Sequence, residues 1–277
     1  MARTRSIVSL VMLGVVSFFT VATMAAVPMK LIKFWNDVEP ESLINVDHSA
    51  FKEVLTAYIS DQHPSGIARF NFNAVSASDR TKLESYLDYL QLLEPRQLNE
   101  GQAKAYWVNI YNAATLKMML DAYEDDRVSS IRDARTGVFS ARPWKRKLVT
   151  ISQQKMSLDD IHNGVLRPMY KDHRIHFALF FFSLGGPDVS ATILEGENNE
   201  EVLNALEKNY MSHYRAARLN GSELVLSGLF ETYDTDFADD FDSLLQYIAQ
   251  HVPEEISAAF PNISDTRYEY DWGINTP

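Results

Sequence analysis

Apolar residues recur at helical spacing in two early segments, as Phe51, Val54, Leu55 and Tyr58 between His48 and Ile59, and as Leu83, Tyr86, Leu87, Leu90 and Leu93 from Thr81 to Leu93. Both patterns predict amphipathic helices, the second stopped by Pro95. Phe70-Asn71-Phe72, between them, is a short extended candidate. Gln102 to Tyr123 predicts the longest helix. Its first half is apolar on every face through Tyr106, Trp107, Val108, Ile110, Tyr111, Ala113, Ala114 and Leu116, so it belongs in the interior.

Downstream, Leu148 to Ile151 alternates weakly, as a strand does, and leads towards a helix opening at Ser157. Ser157 and Asp160, three residues apart, form a capping-box signature, and Pro168 is expected to end that helix after about Leu166. Ile175 to Phe182 is apolar except for His176, the pattern of a central strand buried on both faces, and Gly185, Gly186 and Pro187 turn the chain after it. Helical spacing returns from Glu200 to Tyr214 and from Phe237 to His251, with a short strand at Leu224 to Leu226 after the Asn220-Gly221 turn. Helices outnumber strands without regular alternation. The fold class is therefore α+β: helix-rich, around a small β-sheet with one central buried strand. No repeat or linker divides residues 27–277, which read as a single domain.

The first 26 residues read as a signal peptide. Arg3 and Arg5 precede an apolar run from Ile7 to Val21, and Ala22-Thr23-Met24-Ala25-Ala26 offers cleavage after Ala25 or Ala26. A membrane anchor is the alternative reading. Cleavage predicts a periplasmic or secreted protein with no stable membrane insertion. Of the 26 basic residues, those two arginines lie in the leader, leaving 24 against 37 acidic ones. Nucleic acid is thereby disfavoured as a partner, because such binding rests on phosphate neutralisation. The chain has 0 cysteines, which removes thiol nucleophiles, thiolate ligands and disulfides.

Buried polar residues in these segments are the chemically informative ones. Asn109 and Asn112 share one face of the long helix, and His176 interrupts the central run. Taken singly, each reads first as a satisfied core residue.

Three segments together resemble the domain-of-unknown-function 547 (DUF547) family. They are Ala105-Tyr106-Trp107-Val108-Asn109-Ile110-Tyr111-Asn112-Ala113, Ser157-Leu158-Asp159-Asp160-Ile161, and Arg174-Ile175-His176-Phe177-Ala178-Leu179. Leu226-Ser227-Gly228-Leu229-Phe230, with Tyr233, Asp236 and Phe237, resembles the family's late segment, so the likeness spans about residues 80–245. The resemblance implies a binding cleft drawn from Trp107, Asn109, Tyr111, Asn112, Asp159, His162, His176 and Gly186. Two departures follow. The family commonly has Glu-His where His162-Asn163 stands here, and a Cys before the proline where Gly186 stands. A Cys, a His and an Asn in one fold imply a thiol hydrolase by analogy, but Gly186 has no side chain with which to attack.

Ser183, three residues before the lost cysteine position, is the substitute nucleophile for a hydrolase using His176. His162, His173 and His176, with Asp159 or Asp160, are the metal-ligand candidates; their spacing matches no zinc signature, and a strand would put His173 and His176 on opposite faces. The acidic stretch from Phe230 to Asp240 lacks the glycine and closing glutamate of a calcium loop and reads as helix N-termini. The basic run Arg142 to Lys147 reads as an exposed loop.

The reading is an exported protein that binds an unknown small molecule or periplasmic protein, with a degenerate thiol site and no cofactor or metal. A hydrolase or transferase using His176, Asn112 and Ser183, or a metal, is the alternative.

Overall fold

A computed structural model describes residues 27–123, 128–133 and 143–277. The first 26 residues, read above as a signal peptide, and Arg142 of the basic run lie outside the described residues. The chain begins with α1 (Ser49–Tyr58), whose Phe51, Val54 and Leu55 are buried. Two short strands, β1 (Ile59–Ser60) and β2 (Arg69–Phe70), then pair antiparallel. Helix α2 (Ala77–Leu92) is capped by Ser76 Oγ, which accepts the Asp79 amide. In α3 (Glu100–Tyr123), Tyr106, Ile110 and Tyr111 have no exposed surface, as an all-round apolar helix requires. Asn99 Oδ1 accepts the Gln102 amide at 3.0 Å and so serves the first turn of α3.

The hairpin β3 (Lys147–Ile151) and β4 (Gln154–Ser157) feeds α4 (Leu158–Ile161), whose start is the expected capping box between Ser157 and Asp160. The helix does not stop at Pro168. It widens into a π turn over His162–Leu166 and continues as α5 (Arg167–Tyr170) to a left-handed Lys171, φ +49°. Pro168 has no N–H for the Gly164 carbonyl, and the wider turn also frees Asn163. Both carbonyls are taken by the segment after Val27, from Lys30 at 3.1 Å and Ile32 at 2.8 Å. A neighbouring strand of chain thus satisfies what the proline removed, and the helix can pass through it.

The expected central strand over 175–182 is a helical turn, α6 (Ile175–Ala178), followed by an irregular buried segment. The amides of Ile175, His176 and Phe177 donate back to Asp172, His173 and Arg174, and Phe182 at φ +46° cannot sit in a strand. Continuous apolar character marked burial correctly but could not distinguish a strand from a buried turn. In place of sheet partners, the Asn112 side chain donates to the Ala178 carbonyl and accepts the Phe180 amide, both at 2.8 Å.

Beyond α7 (Asn199–Met211), β5 (Ala217–Asn220) and β6 (Glu223–Ser227) form a hairpin. The crossover contains α8 (Gly228–Thr232), α9 (Asp234–Phe237), α10 (Phe241–His251) and α11 (Glu254–Ser257), and delivers β7 (Asp265–Glu269) parallel to β6. The helix expected from Phe237 to His251 is broken at extended Ala238, and Asp240 Oδ1 recaps the chain by accepting the Ser243 amide at 2.7 Å. The acidic stretch thus supplies helix N-termini. One contiguous hydrophobic cluster runs from Trp35 to Val252. The fold is helix-rich α+β with small sheets, and the segment expected to be their central strand belongs to none of them.

Candidate functional site

Among the residues singled out on α3, Trp107 packs edge-on against Trp35 at 5.1 Å, and Asn109 Nδ2 donates to the Leu194 carbonyl at 2.7 Å. Asn109 and Asn112 therefore hold irregular backbone in place with their amides. Tyr111 lies deeper, with its ring centroid 5.9 Å from that of His162.

His162 and His176 meet in a buried polar chain. His162 Nε2 is 3.2 Å from His176 Nδ1, and His176 Nε2 is 2.7 Å from Asp236 Oδ2. Because Asp236 only accepts, the network fixes Nε2–H tautomers on both rings, each donating onward towards the carboxylate. Arg167 grips both oxygens of Asp236 through Nε and Nη2 and donates Nη1 to Val27 O at 2.8 Å and Asn163 Oδ1 at 2.9 Å. Asn163 in turn donates to Asp159 Oδ1 at 2.9 Å, which ties Asp159 to the chain. Tyr233 stacks on the His176 ring at 4.2 Å.

Burial dominates the electrostatics here. Desolvation holds His162 well below the ordinary histidine pKa, reinforced by His176 whenever that ring is protonated and by the Arg167 charge. His176 is also lowered by burial, although Asp236 pulls the other way. Asp236 is pushed up by burial, but hydrogen bonds and charges from His176 and Arg167 outweigh this and hold it well below the usual carboxylate range. The resting state is two neutral imidazoles beside an Arg–Asp ion pair.

Gly186 lies beside Ser183 and Tyr270. Ser183 Oγ and Tyr270 OH share a hydrogen bond of 2.7 Å, and a Cβ built on Gly186 would lie 2.8 Å from each oxygen and 3.1 Å from Phe181 Cβ. The space of a side chain at 186 is taken by those two hydroxyls. Ser183, the substitute nucleophile, is bonded to a tyrosine and not to His176. The amides of Leu184, Gly185 and Gly186 donate to the carbonyls of Gly273, Asp271 and Ser183, so the turn offers no free N–H pair to an oxyanion. Beside Gly185 opens a cleft of about 340 Å³ bordered by Arg69, Arg215, Arg218 and Asp271.

The metal-ligand candidates are divided among separate tasks. Asp160 closes the capping box and meets Lys147, while His173 Nε2 lies 2.9 Å from Glu207 Oε1. His173 does share a side with His176, since both rings contact Phe237; a helical turn, unlike a strand, places residues three apart together. Among the described residues, no group of three His, Asp or Glu side chains is disposed around a common metal position.

Sequence reasoning missed Arg167, Asp236 as the partner of His176, Tyr270, Arg69 and Arg215. Arg167 carried a signal: it follows Asn163 by four residues on a buried helical face, where a charge requires a partner. The cleft arginines come from segments 146 residues apart and left none.

No curated protein and no solved structure matches this chain. A family model described as "Protein of unknown function, DUF547" matches residues 95–211. The late segment that supplies Tyr233 and Asp236 falls outside that match. The matched stretch contains α3, His162, His176 and the Gly185-Gly186 turn, and over it the chain is similar to the DUF547 family.

Proposed function

We propose that this is an exported binding protein that holds a small molecule in the cleft beside Gly185 and does not turn it over. The observation that carries this reading is the engagement of both His176 nitrogens, one by Asp236 and one by His162, which leaves no lone pair directed at a substrate. The filled space at Gly186 and the satisfied turn amides support it further. The alternative, a hydrolase or transferase built on His176, has the orienting carboxylate of Asp236 in its favour. It lacks a nucleophile in register with that histidine.

The test is a panel of nitrophenyl esters and anilides incubated with the purified protein. Hydrolysis at the rate of the buffer control fits a binding protein. A faster rate that disappears in Ser183→Ala or His176→Asn would establish the hydrolase instead. Export rests on Arg3, Arg5 and the apolar run before Ala25. N-terminal sequencing of the native protein should begin at Ala26 or Val27. Recovery from Met1 in the carbonate-resistant membrane fraction would make the segment an anchor.

A further inference from the structure

His173 and His176 lie three residues apart, and each is held by a carboxylate at Nε2. They differ at Nδ1. The Nδ1 of His176 is occupied by His162, in a residue that is 1% exposed. The Nδ1 of His173 has no hydrogen-bond partner among the described residues, its side chain is 30% exposed, and the nitrogen is not one of the unpartnered side-chain atoms sealed from water.

Glu207 on α7 is 7% exposed; its Oε1 lies 2.9 Å from His173 Nε2 and accepts the Tyr247 hydroxyl of α10 at 2.7 Å. Burial pushes its carboxyl up, but the hydrogen bonds from His173 and Tyr247 outweigh this and hold it below the ordinary value. An ionised carboxylate only accepts, so the neutral ring carries its hydrogen on Nε2 and its lone pair on Nδ1. The ring is walled by Tyr247, at 5.0 Å between centroids, and by Phe237 at 5.5 Å. Two rings and a carboxylate thus fix the direction of the free lone pair. A carboxylate on the far nitrogen also makes an imidazole more basic and orients it as a nucleophile's partner or as a nucleophile itself. His251 offers a contrast within the same cluster, since its Nδ1 meets only the neutral Tyr247 carbonyl, at 2.7 Å.

We infer that His173 is a reactive base of this protein, which takes up an activated acyl group at Nδ1, with Glu207 as its positioning residue. This goes beyond the binding-protein reading and does not depend on the cleft. In the step, the Nδ1 lone pair forms the new bond to the acyl carbon, and the bond from that carbon to its leaving group breaks. The Nε2 proton passes to Glu207 and from there to the departing group. The ring ends neutral and acylated, and the carboxylate is regenerated.

Diethyl pyrocarbonate is the probe: it gives its ethoxycarbonyl group to the imidazole, and the ethyl carbonate released takes the proton and decomposes to ethanol and carbon dioxide. The purified full chain is treated with limiting reagent at about pH 8, above the ordinary histidine value, and peptide mass spectrometry follows each of the 7 histidines. His173 is expected to be labelled faster than His251, while His162 and His176 stay unlabelled. Glu207→Gln, which removes the charge, and Glu207→Asp, which draws the carboxylate back from the ring, should each slow His173 by about tenfold. His63, hydrogen-bonded to Ser65 outside the cluster, should keep its rate. If Glu207 only tied the ring down, its loss would free His173 and raise the rate. Continued protection of His162 and His176 shows that each variant is folded, and the comparison of His173 with His251 in the unaltered protein stands without either variant. Labelling of His173 no faster than His251, or a rate unchanged or raised in both folded variants, overturns the inference.

Discussion

His176 gives its Nε2 proton to Asp236 across 2.7 Å, in a site where the histidine is 1% exposed and the carboxylate is also held by Arg167. Orientation by a carboxylate is a familiar way to prepare a catalytic base. Here the other ring nitrogen is spent on His162, so the pair holds structure together.

Replacing Asp236 with Asn should therefore be strongly destabilising. Arg167, with its side chain 2% exposed, would keep only neutral partners, and breaking a buried pair from one side costs about 3–5 kcal/mol. Urea unfolding monitored by circular dichroism measures this. A loss below about 1 kcal/mol would place the ion pair outside the stabilising framework.

Asn112→Ala should cost about 2–4 kcal/mol, since it strips partners from the Ala178 carbonyl and the Phe180 amide in a fully buried segment. Asn112→Asp should also destabilise, because a carboxylate cannot donate to the Ala178 carbonyl. Denaturant midpoints for the two variants check both effects.

Gly186→Ala places a methyl against Ser183 Oγ and Tyr270 OH and should cost about 1–3 kcal/mol. Tyr270→Phe, by removing one of those oxygens, should recover part of that loss in the double variant. Gly186→Cys should react with a thiol reagent at neutral pH no faster than a free-thiol control, because the atoms nearest the position are the Ser183 and Tyr270 hydroxyls and Phe181 Cβ, none of them a cation or a base. Coupling near zero between Gly186→Ala and Tyr270→Phe would show that the hydroxyl does not occupy the missing side chain's place.

Stability should fall on acidification below about pH 6.5. His48, lowered to about 4 by burial, and His162 and His176, also lowered from 6.5, bind protons in the unfolded chain before they do in the folded one. Each histidine contributes up to about 1.4 kcal/mol per pH unit between its unfolded and folded values. Asp236 acts at lower pH with the same sign: its stabilisation is present above its ordinary value of 3.8 and is lost as pH falls further towards its depressed one. Melting temperatures from pH 8 to pH 4.5 check the histidine part. A flat profile would mean that these rings take up protons equally in the folded and unfolded chain, so that burial does not lower their pKa.

Sequence pattern carried the fold furthest where one local rule decided the outcome. The buried α3, the Ser157-Asp160 capping box and the Leu224–Leu226 strand are of that kind. It failed where distant partners decided. Passage through Pro168 depends on Lys30 and Ile32, and the turn at Ile175–Ala178 is held by Asn112, with neither contact written in the local apolar pattern. The site divides likewise. His162 and His176 were legible as buried polar residues, whereas Arg69 and Arg215 become informative only when the fold brings them to the border of one cleft.

His176 is a neutral, doubly engaged core residue, and long-range proton–nitrogen NMR of the imidazole rings is the measurement that decides this. His162 and His176 are both expected to stay neutral Nε2–H tautomers as the pH falls through the ordinary histidine value of about 6.5. A His176 ring that titrates near 6.5, or one with Nδ1 protonated and Nε2 free at neutral pH, would contradict it and return the histidine to the role of a base.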